Sequence, residues 1–233
     1  MRLGDAVTKP PTFDAVLFDL DGVLVDTEPW WDEVRVEFAR GHDRPWGPND
    51  QHAVMGGNSR EWAAVMRERL DLGHLEQDAI QDAIVAGVVA KYRAAAVLPL
   101  IPGAVETVRR VAATHPVAIA SSAHRAVIEA AVDALGLRAI LDEIVSSDDV
   151  AAGKPDPAVY LLAAARLGVD PGRCLVVEDS VNGVRAGKAA GMTVALVPNA
   201  SVPPARGAVD LADLVLAGIT DLDPGPPART GRP

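Results

Sequence analysis

Cysteine is nearly missing from this chain. Cys174 stands alone among 233 residues, so no internal disulfide can form and no zinc-type cysteine spacing exists. It sits in the apolar run Cys174-Leu175-Val176-Val177, where a buried structural thiol is expected, and a reducing compartment is the default. Long hydrophobic runs are missing too. Nowhere do roughly eighteen apolar residues follow one another, as a membrane span would need. The start, Met1 to Asp14, carries Asp5, Lys9 and two prolines in place of a signal-type apolar stretch. The expectation is a cytoplasmic protein, unsecreted and without a membrane partner.

Positive charge is also short. A formal net charge of −10 speaks against extended docking on nucleic-acid phosphates, which draws its affinity from clustered Lys and Arg. Lysine is the scarcer cation: Lys9, Lys91, Lys154 and Lys188 stand against eighteen arginines. A lysine inside a motif therefore marks a place where chemistry calls for a compact ammonium. The five histidines, His124 among them, have no motif partners. What the chain does have is apolar residues, 49% of the total, enough for one large core or a core with a smaller insertion.

These apolar residues recur as short runs bounded by turn residues: Ala15 to Phe18, Val117 to Ala120, Glu143 to Val145, Cys174 to Val177, Thr193 to Val197 and Asp213 to Leu216. They read as buried strands. Helical spacing lies between the later ones, over Ala104 to Ala113, His124 to Leu135, Pro157 to Leu167 and Val181 to Ala190. Gly136, Gly168 and Gly191 punctuate three of these ends, and Pro157 opens one helix. Strand then helix, repeated, predicts an α/β fold with a parallel sheet covered on both faces. From Thr27 to Leu98 the alternation breaks, and Trp30, Val34, Phe38, Trp62, Ile80, Ile84, Val88 and Tyr92 fall at helical spacing with no strand between them. This predicts a helical insertion after the first strand. Residues 1–26 and 99–233 then form the core, residues 27–98 the insertion, and residues 222–233, rich in Pro, Gly and Arg, a disordered tail.

Ligands of open parallel sheets sit beyond the carboxyl ends of the strands. Reading those positions in order yields Asp19, Asp21, Ser121, Lys154, Glu178 and Asp179. In Asp19-Leu20-Asp21-Gly22-Val23, a calcium loop is disfavoured because Val23 and Leu24 stand where that loop needs a ligand and a glycine. Asp179 or Ser180 could merely cap the next helix, and Lys154 could be an ordinary loop lysine. Four acids converging in one crevice would instead repel one another unless a cation joined them. Oxygen donors without His or Cys point to Mg²⁺. Ser121, before a helix N-terminus, could be only a helix cap; with Lys154, in the rigid Gly153-Lys154-Pro155 loop, it would also make a ready phosphate site.

Four separated motifs in order, Asp19-Leu20-Asp21-Gly22-Val23, Ala120-Ser121-Ser122, Gly153-Lys154-Pro155 and Val177-Glu178-Asp179-Ser180, resemble the haloacid dehalogenase superfamily. The resemblance covers about Phe13 to Val197. It is to the subfamily with a helical cap, which includes sugar-phosphate phosphatases and β-phosphoglucomutase. What it implies is a Rossmann-like core and a Mg²⁺-dependent phosphatase acting on a small phosphorylated metabolite such as a sugar or polyol phosphate. Asp19 would be the nucleophile that forms an aspartyl-phosphate and Asp21 the general acid and base. The metal would be held by Asp19, Asp21 through its backbone carbonyl, Asp179 and nearby Glu178, and the phosphate by Ser121, Ser122 and Lys154. Asp21 argues against dehalogenation, where a departing halide needs no proton. The lack of a lysine between Lys9 and Lys91 argues against phosphonatase chemistry. The cap signature Gly57-Asn58-Ser59-Arg60 resembles that of β-phosphoglucomutase, with Asn58 and Arg60 as substrate contacts, but Trp31 stands where the mutase carries histidine. A mutase is the alternative, and a catalytically silent phosphometabolite-binding protein a further one. Trp31 or Trp30 could stack on a sugar, although helical spacing with Val34 and Phe38 makes at least one a core residue. Gly56-Gly57 is expected to move as the cap closes. A monomer is compatible with such a cap.

Overall fold

The computed structural model describes residues 12–55, 57–199 and 206–226. Six strands form one parallel sheet: β1 (Ala15–Phe18), β2 (Val117–Ser121), β3 (Glu143–Ser146), β4 (Cys174–Glu178), β5 (Thr193–Leu196) and β6 (Leu214–Val215). Their order is β3-β2-β1-β4-β5-β6. The chain thus winds outward one way from β1 and the other way from β4, which places the topological switch between these two neighbours. Every residue of β1, β2 and β4 is buried, whereas both residues of edge strand β6 are exposed. Central strands therefore read as unbroken apolar runs, as parallel sheets covered on both faces require.

The pleat sends alternate side chains to two separate cores. Val16, Phe18 and Ile119 join one apolar cluster; Leu17, Ala118 and Val176 join the other, behind the sheet. The second cluster is closed by α7 (Ala158–Leu167) and α8 (Val181–Ala189). The first is closed by α5 (Ala104–Ala112) and α6 (Arg125–Leu135), and it continues into the helices that follow β1. These are α1 (Glu28–Gly41), α2 (Pro48–Val54), α3 (Ser59–Arg69) and α4 (Gln77–Ala94), and no named strand interrupts them. A short α9 (Arg206–Leu211) precedes β6. Helix α4 contacts α1 and α3 on one side and α6 of the sheet layer on another. Gly87 makes the α1–α4 approach possible, since a Cβ there would lie 2.5 Å from Cγ1 of Val34.

The helix ends follow the punctuation. Gly136 and Gly168 cap α6 and α7 in the left-handed conformation, at φ 63° and 67°, where a side chain would be strained. His124 caps α6 at its start, its Nδ1 accepting from the Ala126 amide at 3.1 Å, a role its sequence context did not suggest. Helix α2 was likewise not anticipated. The last strand is shorter than expected, two residues in place of Asp213 to Leu216. The expected tail begins too early: Leu222 is buried, and its carbonyl accepts from Arg110 at 2.8 Å, while residues 227–233 lie outside the described residues. So do residues 1–11 and Gly56 of the Gly56-Gly57 loop. Among the described residues, no helix is long and apolar enough to cross a membrane.

Candidate active site

The switch between β1 and β4 brings the motif acids together. Asp19 follows β1 directly, and its amide donates to Val177 of β4 at 3.0 Å, so the first carboxylate is pinned beside the end of the fourth strand. Glu178 ends that strand, and Asp179 follows. Carboxylate oxygens of Asp19, Glu178 and Asp179 lie within 4.8 Å of one another. Lys154 reaches in from the loop before α7 and donates to Asp19 Oδ1 at 2.5 Å and to Glu178 Oε1 at 2.7 Å. Its ammonium also lies 4.8 Å from the centre of the Tyr160 ring.

Two glycines make this crowding possible. A Cβ on Gly22, whose φ is +84°, would come within 2.0 Å of Asp179 Oδ2, and one on Gly183 within 1.6 Å of Glu178 Oε1. Any larger residue would push the acids apart.

Glu178 is saturated with donors. Oε1 accepts from Lys154 and from the Tyr160 hydroxyl, and Oε2 accepts from the Asp179 and Ser180 amides and from Ser180 Oγ. Burial pushes its pKa up, but Lys154 and these donors outweigh burial and leave it below the usual range, so it is ionised. Asp19 behaves oppositely. Burial raises its carboxyl to about 7 despite the pull of Lys154, and the charge on Glu178 adds to the rise. Asp179 is raised as well, by burial and then by Glu178 and Asp19. Lys154 is held protonated by Asp19 and Glu178, against the effect of its burial.

The residues fit a hard divalent cation. All donors are oxygens, and the burial and crowding that raise Asp19 and Asp179 leave their ionised forms short of positive charge that the single ammonium does not supply. Asp21 points elsewhere. Its carboxylate accepts from Thr27 Oγ1, at the start of α1, and it stands outside the three-acid cluster. Burial raises its pKa, with hydrogen bonds from Thr27 and then Trp31 opposing the rise. A carboxyl so placed keeps its proton to higher pH than a free one, which suits a group that must donate a proton and take one back.

Ser121 and Ser122 line the same cavity of about 510 Å³ as Asp19, Asp21 and Lys154. Ser121 Oγ accepts from the Ala123 amide at 3.1 Å, which leaves its own proton to donate to a ligand oxygen. Trp31 also lines this cavity and is buried. The two other contacts expected from the insertion do not line it. Arg60 is exposed on α3, and Asn58 caps that helix, its Oδ1 accepting from the Arg60 and Glu61 amides at 3.1 and 3.0 Å. Asn58 also packs on the Lys154 loop, since a Cβ on Gly153 would lie 2.7 Å from its Nδ2. Tyr160, Thr27, Glu28 and Arg35 belong to the site without having been singled out, and Ser180, read as a possible helix cap, does cap α8 and also donates to Glu178. Thr27 and Glu28 lie a few residues beyond a recognised motif; Tyr160 and Arg35 lie inside helices, where nothing local marks them.

A parallel α/β sheet whose switch point gathers three acids and an ammonium under a helical roof defines a class of hydrolases. The chain belongs to the haloacid dehalogenase-like hydrolases, whose family pattern it matches over residues 13–191. It is similar to hexitol phosphatase B of Escherichia coli, at 30% identity over 93% of this chain and 97% of that protein. It is also similar to a bifunctional riboflavin kinase/FMN phosphatase of Arabidopsis thaliana, at 33% identity over 89% of this chain, which spans only 54% of that longer protein. The crystal structure of CbbY from Rhodobacter sphaeroides in complex with phosphate superposes with a TM-score of 0.81 at 28% identity, covering 90% of this chain and 96% of that one.

Proposed function

We propose that this protein is a Mg²⁺-dependent phosphatase of small phosphorylated metabolites, a sugar or polyol phosphate above all, working through an aspartyl-phosphate on Asp19. The observation that carries the reading is the bridge of Lys154 between Asp19 and Glu178, with Asp179 alongside, at the sheet's switch point. An Asp19 oxygen attacks phosphorus as the ester oxygen departs with a proton from Asp21. Asp21, now ionised, takes a proton from water, whose oxygen attacks the same phosphorus and frees both inorganic phosphate and Asp19. Lys154 and Ser121 hold the phosphoryl oxygens throughout, and Glu178 orients Lys154. Asp19, Asp179 and the Asp21 backbone carbonyl would hold Mg²⁺, with Glu178 adjoining, and the metal supplies positive charge to the phosphoryl oxygens.

Residues 27–98 act in this reading as a cap and residues 12–26 and 99–226 as the catalytic core. The names of the hexitol and FMN phosphatases support hydrolysis of a phosphomonoester, and the phosphate-bound CbbY structure supports a phosphate site in this fold. Trp31 favours hydrolysis over a mutase: an indole only donates a hydrogen bond and cannot accept a proton from a sugar hydroxyl. Release of phosphate from p-nitrophenyl phosphate, with Mg²⁺ and with EDTA, tests the proposal. Turnover that survives EDTA contradicts it. With β-glucose 1-phosphate, free phosphate is expected, and accumulation of glucose 6-phosphate would mark a mutase instead.

A further inference from the structure

Arg35 carries a guanidinium that its own chain leaves short of hydrogen bonds. The residue is 4% exposed, yet Nε and Nη1 have no hydrogen-bond partner in the protein. Burying such donors unmade is costly, so their placement calls for a reason. The group is well fixed: its Cζ lies 5.2 Å from the ring centre of Trp31 and 5.7 Å from that of Trp62. It lines the cavity that holds Asp19 and Lys154. Trp31, four residues earlier on the same face of α1, directs a hydrogen bond to Asp21. Arg35 is thus one indole away from the acid-base carboxyl.

Its charge, by contrast, is already answered. Glu28 Oε1 lies 3.9 Å from Nη1, close enough to pair electrostatically and too far for a hydrogen bond. Asp32 and Asp21 add to the negative potential there. Glu28 is itself held by Gln51 Nε2 at 2.9 Å and faces the same cavity. A second phosphate or carboxylate entering here would meet Glu28 at close range. A hydroxyl would meet a donor and an acceptor at once, and it can serve both.

We infer that Arg35 and Glu28, walled by Trp31 and Trp62, form the subsite that reads the uncharged, hydroxyl-bearing end of the substrate. On the phosphatase reading, on which this rests, the substrate is then a polyol or sugar monophosphate and not a bisphosphate or a phosphorylated acid. The indole faces take the C–H edges of the carbon chain, and the guanidinium and carboxylate take its hydroxyls.

The test compares kcat/KM of the full-length enzyme with Mg²⁺ on glucitol 6-phosphate, fructose 1,6-bisphosphate and p-nitrophenyl phosphate. Wild type is expected to prefer glucitol 6-phosphate over the bisphosphate. Arg35→Gln is expected to lower the ratio of glucitol 6-phosphate to p-nitrophenyl phosphate activity by about 10- to 100-fold, the loss of one or two charge-assisted hydrogen bonds. Glu28→Gln should lower the same ratio, which keeps the test open if the arginine variant does not fold. An unchanged ratio in the folded variants, or a wild-type preference for the bisphosphate that Arg35→Gln abolishes, overturns the subsite. Calorimetric binding of glucitol 6-phosphate separates this failure from that of the phosphatase reading. Binding that needs Arg35, without turnover of any ester, keeps the subsite and overturns hydrolysis.

Discussion

The strand ends and the helical insertion solve opposite problems. At the strand ends, five hydrogen bonds saturate Glu178 and an ammonium ties two acids, so every group is positioned before a substrate arrives. In the insertion, Arg35 is held by ring faces and keeps donors in reserve. On the proposed reading, one region meets the phosphoryl group common to all substrates and the other meets whatever is attached to it. Preorganised electrostatics suit the first task, and unspent hydrogen bonds suit the second.

The sharpest way to break this division is at Asp19. Asp19→Asn is expected to lower phosphate release by about 10⁴-fold or more on every ester, because the loss concerns the shared step. A loss confined to some substrates would contradict it. Asp21→Asn is expected to cost about 10²- to 10⁴-fold on an alkyl phosphate. On p-nitrophenyl phosphate the loss in kcat/KM, which reports the leaving-group step before water attacks, should be smaller, since nitrophenolate leaves with little help from an acid. Equal losses would deny Asp21 its role as proton donor.

Packing offers the next test. Gly87→Ala should lower stability by about 1–3 kcal/mol, read by urea unfolding, because the stiff Val34 cannot yield at 2.5 Å. The strand-end chemistry should survive in the folded fraction, which turnover per folded molecule reports.

Proton linkage gives a further contrast. Asp19 has its folded pKa raised to about 7 from 3.8, so its contribution to the stability of the metal-free protein is present below pH 3.8 and is lost as pH rises through 7. Asp19→Asn should therefore raise the Tm of metal-free protein at pH 8 and leave it nearly unchanged at pH 4. A lower Tm at pH 8 would mean that the ionised carboxylate is compensated without a metal. The smallest effect is expected from Arg60→Ala. With Arg60 exposed and outside the cavity lining, kcat/KM should change by no more than about 2-fold, as for most surface substitutions. A loss of tenfold would restore Arg60 to the substrate site.

The same division governed what could be read from the chain. Strands that are buried on both faces announce themselves as apolar runs, and the meeting of Asp19, Ser121, Glu178 and Asp179 around one cavity was legible because each stands where such a run stops. Lys154 stood out through the rarity of lysine. In the insertion, helical periodicity revealed the elements but not their orientation. Arg60 sat in a recognisable signature and points outward, whereas Arg35, charged and inside an amphipathic helix, looked like any solvated face. Its burial depends on Trp62, 27 positions further on, and on the packing of α1 against α4. Such long-range contacts leave no local mark, whereas α2 escaped because seven residues are too few to show a helical period, and the His124 cap because histidine is not among the usual capping residues.

Covalent trapping tests the central claim most directly. The Mg²⁺-loaded enzyme is mixed with a ³²P-labelled phosphomonoester, quenched in acid within one turnover, reduced with borohydride and digested. An aspartyl-phosphate at position 19 is expected to leave labelled protein that hydroxylamine discharges, and homoserine at position 19 after reduction. Homoserine at another position, or phosphate released in the first turnover with no labelled protein at any quench time, would contradict nucleophilic attack by Asp19.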